Sequence, residues 1–248
     1  MSEAIGRRAG PSGQAAKNGW QVPSPALSLL WRGLWLMPLA AVLSELFLLP
    51  HPHMPFKARL LTLAATVILL GQLYSPTRGS SPFSPPARAL LWSLLVASAA
   101  LLLMWLTGGD MPAWRRSLQL AGAIFVITFA LQGLNQLLAA CCDEAFAPAL
   151  SLMILILFAA APLWLGPWAA DTDAGQLRGD VIIAASPLTA LSVAIDYDYL
   201  RSAWFYTHTP FGALRYHYPP VIQLGIVYMA LGLACLAFPG PKPGPHRD

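Results

Sequence analysis

Charge is scarce in this chain. Of its 248 residues only 10% are charged, against 56% hydrophobic, whereas a soluble globular domain carries roughly 25% charged residues. So few charges cannot clothe a protein of this size in a water-compatible skin, and a mean hydropathy of +0.57 points the same way. Cysteine is nearly missing as well. The three cysteines are Cys141, Cys142 and Cys235. The adjacent pair lacks the CxxC spacing of a metal or redox site, and Cys235 lies in an apolar run, so small buried hydrophobes are the expected role and a disulfide scaffold is not. There is no P-loop, GxSxG, HExxH or GxGxxG, the motifs that would place phosphate-binding, nucleophilic or metal-assisted chemistry on the chain. No grouping of acid, base and nucleophile replaces them. The sequence therefore reads as a non-enzyme without a cofactor, and ATP hydrolysis, if the protein depends on it, falls to a separate subunit. The net charge of +4 comes from basic residues scattered singly or in pairs. Without a basic stripe interleaved with aromatics, nucleic acid is not an expected partner.

What the chain does have is long apolar runs. A bilayer core of about 30 Å requires about 20 apolar residues in a helix. Six runs approach that length: Gly33–Pro50, Leu60–Tyr74, Ala89–Leu106, Ser117–Ala140, Ala145–Ala170 and Pro219–Phe238. They predict an all-α, polytopic membrane helix bundle of about six transmembrane helices. Trp20, Trp31, Arg32 and Trp35 at the first run, and Trp114-Arg115-Arg116 before the fourth, have the composition of an interface belt. Residues 1–24 are polar, with Arg7, Arg8 and Lys17, and read as a flexible cytoplasmic tail rather than a secretory signal. Residues 25–240 form the transmembrane domain and 241–248 a polar tail. A seventh piece, Val181–Ile195, is too short for a crossing and is interrupted at Ser186-Pro187. It predicts short re-entrant or interfacial helices between the last two crossings, with a helix starting at Pro187 and packed at the outer surface. The aromatic segment 171–218 is then the one sizeable part outside the membrane. Lys and Arg divide almost evenly between the two faces, Arg78 and Arg88 being assigned to the second loop, and the basic N-terminal tail tips the reading toward two cytoplasmic termini.

Several polar residues stand out against this background. Glu45 lies in the first run about one turn from its end, where an ionisable group is either functional or reaches the interface, with Lys57 or Arg59 as partner. Gln132, Asn135 and Gln136 fall at i, i+3 and i+4, on one face of the fourth run. Such amides join helices or line a polar pathway. Asp143 and Glu144 form an acidic pair in the following connection, solvated or docked to a basic partner. Trp204, Tyr206, Arg201 and Arg215 in the aromatic segment are candidates for docking another subunit, with the two arginines available to Asp196 and Asp198. His51, His53, Met54, His208 and His217 carry donors that could bind copper, but their spacing is not diagnostic and the prolines between them limit how they converge.

The second half resembles the permease subunits of ABC-2-type exporters. The resemblance covers roughly residues 117–240. It rests on the polar face and Leu/Ile-rich crossing between Leu134 and Leu165, on the long segment between the last two crossings, and on Ala185-Ser-Pro-Leu-Thr-Ala-Leu191 within it. It implies a multi-pass protein of the cell inner (plasma) membrane that works with a cytoplasmic ATPase, and a homodimer of the membrane subunit. Read from the residues alone, a non-transporting structural or accessory subunit of a larger membrane complex is the alternative. The bilayer is a partner in both cases.

Overall fold

The computed structural model describes residues 39–40, 42–43, 55–76, 83–106, 114–142, 146–170, 175–202, 205, 207 and 216–238. Among them the chain is all-helical: α1 Phe56–Leu73, α2 Pro85–Leu106, α3 Trp114–Cys141, α4 Ala147–Ala159, α5 Ala161–Ala170, α6 Gly175–Ala185, α7 Pro187–Ala194 and α8 Val221–Ala237, with a 3-10 turn at Tyr199–Arg201. No strand occurs among the described residues.

The helices follow from local chemistry. α2 opens on Pro85 and Pro86, positions where a missing N–H does no harm. α4 and α5 arise from one apolar run but meet at 45°. The cause is Pro162: it has no N–H for the Phe158 carbonyl, and its ring crowds that oxygen. The chain turns through Ala160, whose carbonyl accepts from the Leu163 N–H at 2.8 Å. Ser186 is extended, with φ −78° and ψ 124°, as a residue before proline prefers. α7 starts at Pro187, and α6 and α7 are bent by 84° to one another. The run Val181–Ile195 is therefore two short helices and not a straight crossing.

Three helices, α1, α2 and α3, are long and apolar enough to cross a membrane, and counting each bent pair as one crossing raises the number to five. This is below the six read from the runs. α8, at 17 residues, is about 25 Å long at 1.5 Å per residue. Most of the first run lies outside the described residues; Leu39, Ala40, Val42 and Leu43 within it are helical.

α3 is the centre, packing on α8, α2, α4, α1 and α7. Its Leu120, Ile124, Ile127 and Leu131 share one core with Trp92, Val96 and Ala100 of α2 and Leu60 and Val67 of α1. Outward-facing Ile222, Ile226 and Val227 on α8, Met153 on α4 and Leu94 on α2 are exposed. So broad an apolar exterior requires an apolar solvent, and the protein is a membrane protein. α3 and α8 meet at Gly133 and Gly232: a Cβ on Gly133 would lie 2.5 Å from the Gly232 carbonyl oxygen. Small residues at a crossing let two backbones approach where the bilayer offers no hydrophobic drive for association.

Two expectations are corrected. Cys141 and Cys142 are exposed, and of the three cysteines Cys235 alone is buried as expected. Arg88 is not a loop residue; α2 begins three positions earlier and Arg88 is 2% exposed, inside the protein. α7 is one of the short helices expected here, re-entrant rather than a superficial cap. Pro187, Thr189, Ala190, Leu191, Ser192 and Ala194 are all buried, and the helix is wedged among α1, α3, α4 and α8. The apolar face of these eight residues finds its partners only by dipping into the bundle.

Candidate functional site

The polar side chains of the bundle gather where α1 and α3 end and α4 begins. Gln72 in the last turn of α1 donates through Nε2 to Asn135 Oδ1 of α3 at 2.8 Å and also to Ser151 Oγ of α4. Ser151 donates to Asn135 Oδ1 and is held by the Pro148 carbonyl of its own helix at 3.0 Å. Ser75, just past α1, donates to Gln132 Oε1 at 3.1 Å and accepts from Asn135 Nδ2 at 3.5 Å. All five side chains are buried. Trp92 of α2 closes the cluster by donating to the Gly71 carbonyl at 2.9 Å. Each such bond between helices contributes only about 0.6 kcal/mol on average, and up to about 1.7. What the cluster fixes is the register of α1, α3 and α4.

Its chemistry is that of neutral amides and hydroxyls. Gln72 Oε1 and Gln132 Nε2 are buried and have no hydrogen-bond partner. The set therefore contains more donors and acceptors than its present pairing uses. None of the five side chains is charged.

At the other end of the bundle two carboxylates organise the segment after α7. Asp196 adopts a left-handed φ of 54°, a conformation that Asp tolerates better than most residues. Its carbonyl accepts from Lys57 Nζ of α1 at 2.5 Å. Its carboxylate lies 3.5 Å from the same Nζ and 3.3 Å from Arg116 Nη2 of α3. The end of α7 is thus tied to the first turns of two long helices. Asp198 is the second hub. It accepts from Tyr218 at 2.6 Å and Tyr216 at 3.1 Å and pairs with Arg201 Nε at 3.1 Å. Burial and then the Asp198 carboxylate raise the Tyr216 and Tyr218 phenols above their ordinary value. The Tyr199 phenol, 3.3 Å from Thr189 Oγ1 of α7, is raised chiefly by burial. Asp180 of α6 accepts from the His217 backbone N–H at 2.8 Å.

The structure brings Gln132 and Asn135 into one cluster. Gln136 is half-buried, its Oε1 without a partner. Arg201 meets Asp198. Glu45, Asp143, Glu144, Trp204, Tyr206 and Arg215 lie outside the described residues, as do His51, His53, Met54 and His208. Among the described residues no three metal-ligating side chains converge. Sequence reasoning missed Gln72, Ser75 and Ser151. The available signal was Gln72, an amide inside an apolar run.

Comparison with family models, with curated proteins and with solved structures returns no match.

Proposed function

We propose that the chain is a permease-type subunit of an ABC-2-like exporter in the cell inner (plasma) membrane, with both termini cytoplasmic, working with a separate ATPase. The observation that carries this reading is the broken pair α6–α7. It stands between the last two apolar segments, where the resembled family places short external helices, and its second helix, α7, is wedged into the bundle. Because Asp196 links α7 to the first turns of α1 and α3, tilting of those helices would be transmitted directly to α7. The surplus hydrogen-bonding capacity at the opposite end of α1 and α3 suits helices that change register. ATP-driven movement at the cytoplasmic face would tilt the helices and open a path between two copies of the chain.

A second reading, a non-transporting accessory subunit, draws on Ser75–Pro86. This connection is rich in Pro and Ser where the family carries a charged cytoplasmic helix that touches the ATPase. Co-expression with a P-loop ATPase encoded beside the chain, purification in mild detergent and measurement of ATP hydrolysis separate the two. The permease reading expects a stable complex whose hydrolysis rate changes when Asp196→Asn is introduced. A chain that purifies only with other membrane subunits, and no nucleotide-hydrolysing partner, overturns it in favour of the accessory role.

A further inference from the structure

The first turn of α3 has the wrong charge for its place. It reads Trp114-Arg115-Arg116 and contains no acidic residue. A helix N-terminus already carries about half a positive charge, and its first four N–H groups lack partners within the helix. Arg116 is compensated by Asp196 at 3.3 Å. Arg115 is exposed and has no carboxylate partner among the described residues. Next to this turn lies an apolar cavity of about 420 Å³ between the end of α2 and the start of α3, lined by Leu101, Leu102, Trp105, Trp114, Ser117 and Leu118. Ser117 is only 6% exposed, and its Oγ is buried without a hydrogen-bond partner. Three features thus coincide: a cation at a positive helix end with no carboxylate partner among the described residues, an apolar hollow and an unused buried hydroxyl.

We propose that this end of the α2–α3 pair binds an anionic phospholipid. The phosphate sits at the α3 N-terminus against Arg115, which lies three residues before Leu118 and so on the cavity's side of the helix. One acyl chain enters the hollow along Leu101, Leu102 and Leu118. The Ser117 hydroxyl, beneath the wall of the hollow and without a partner, can turn to an ester oxygen of the glycerol backbone only once the lipid has spread the α2–α3 seam. A lipid is favoured over a free anion because the hollow is apolar and bordered by Leu102, Trp105 and Leu118, which face outward. Its volume falls in the range of about 300–1,000 Å³ typical of small-molecule sites. Trp105 and Trp114 suit the headgroup level. The site depends on the protein being membrane-embedded and holds equally for an exporter or an accessory subunit.

Native mass spectrometry of the purified full chain, titrated with phosphatidylglycerol or phosphatidylcholine, tests it. Phosphatidylglycerol should be retained in preference to phosphatidylcholine. Arg115→Gln, a change at an exposed position, should weaken phosphatidylglycerol binding roughly fivefold, as for loss of one basic residue near an anionic headgroup. Leu118→Trp, which fills the hollow, should weaken both lipids. Arg178→Gln, whose guanidinium packs on Trp168 away from the cavity lining, should leave binding unchanged. Equal retention of the two lipids, or undiminished phosphatidylglycerol binding by both Arg115→Gln and Leu118→Trp, overturns the proposal. So does displacement of phosphatidylglycerol by inorganic phosphate alone, which would make the site a simple anion site.

Discussion

Two glycines on the same helix should respond to the same substitution with opposite signs. Gly122 of α3 is exposed, and a Cβ added there meets nothing within 4 Å. Gly122→Ala should therefore stabilise the protein by the helix-propensity difference, up to about 1 kcal/mol. Gly133, eleven residues on, faces α8. Its added Cβ would stand 2.5 Å from the Gly232 carbonyl oxygen and 3.1 Å from the Gly232 Cα. These are backbone atoms that cannot rotate away, so α8 must withdraw by about 0.7 Å, and a radial gap of that size forfeits a quarter to a half of each van der Waals contact along the seam. Overpacking usually costs about 1–3 kcal/mol. With the backbone in the way the upper end applies, and after the propensity gain Gly133→Ala should be destabilised by about 2 kcal/mol. The two variants should then differ by about 3 kcal/mol. Reversible unfolding of the purified protein in bicelles by added dodecyl sulfate, followed by tryptophan fluorescence, measures both. If Gly133→Ala is as stable as Gly122→Ala, the close approach of α3 and α8 is refuted.

The polar cluster predicts a contrast of its own: Asn135→Leu removes three hydrogen bonds and should cost about 2 kcal/mol in the same assay, whereas Gln136→Leu deletes an acceptor that has no partner and should be neutral or stabilising. Tyr218 gives a pH dependence. Burial and its bond to Asp198 raise its phenol above 10.0, so the folded state holds the proton more tightly than the unfolded chain. That contribution is complete below about pH 10 and is lost as the pH rises beyond it; melting curves from pH 8 to 11 should fall at the alkaline end, and an equal fall in Tyr218→Phe would dismiss the explanation. For the topology, Ser12→Cys in a chain whose Cys141, Cys142 and Cys235 are replaced by Ser should resist an impermeant maleimide in intact cells and react once they are opened. Labelling from outside reverses the orientation.

The apolar runs made most of the helices legible, because residues that must face lipid or core leave no other pattern. Their ends were less so. α1 starts at Phe56, ahead of the run itself, since Lys57 and Arg59 belong to its first turn, and long basic stems are tolerated at a helix end. Arg88 misled for the opposite reason: a positive charge beside two prolines reads as loop, while the prolines in fact open a helix that carries the arginine inside. Spacing placed Gln132 and Asn135 on a shared face, but it could not name Gln72 and Ser151 as their partners, because that choice is made by the packing of α1 and α4 onto α3. The break at Ser186-Pro187 was visible in sequence. The depth at which α7 sits was not, since eight apolar residues suit an interface or a bundle interior equally well.

The contacts that close this bundle also set a schedule. Gln72 must wait for Asn135, 63 positions later, and for Ser151, 79 positions later; Lys57 must wait for Asp196, 139 positions later. At about 5–20 residues per second of synthesis, the last interval is roughly 7–28 s. The amide waits for less, roughly 3–16 s at the same rate, while the ammonium group at the other end of the helix, exposed even in the folded protein, stays in water. Until α3 and α4 have been made, the Gln72 amide at the end of α1 must find water or lipid headgroups in place of Asn135 and Ser151.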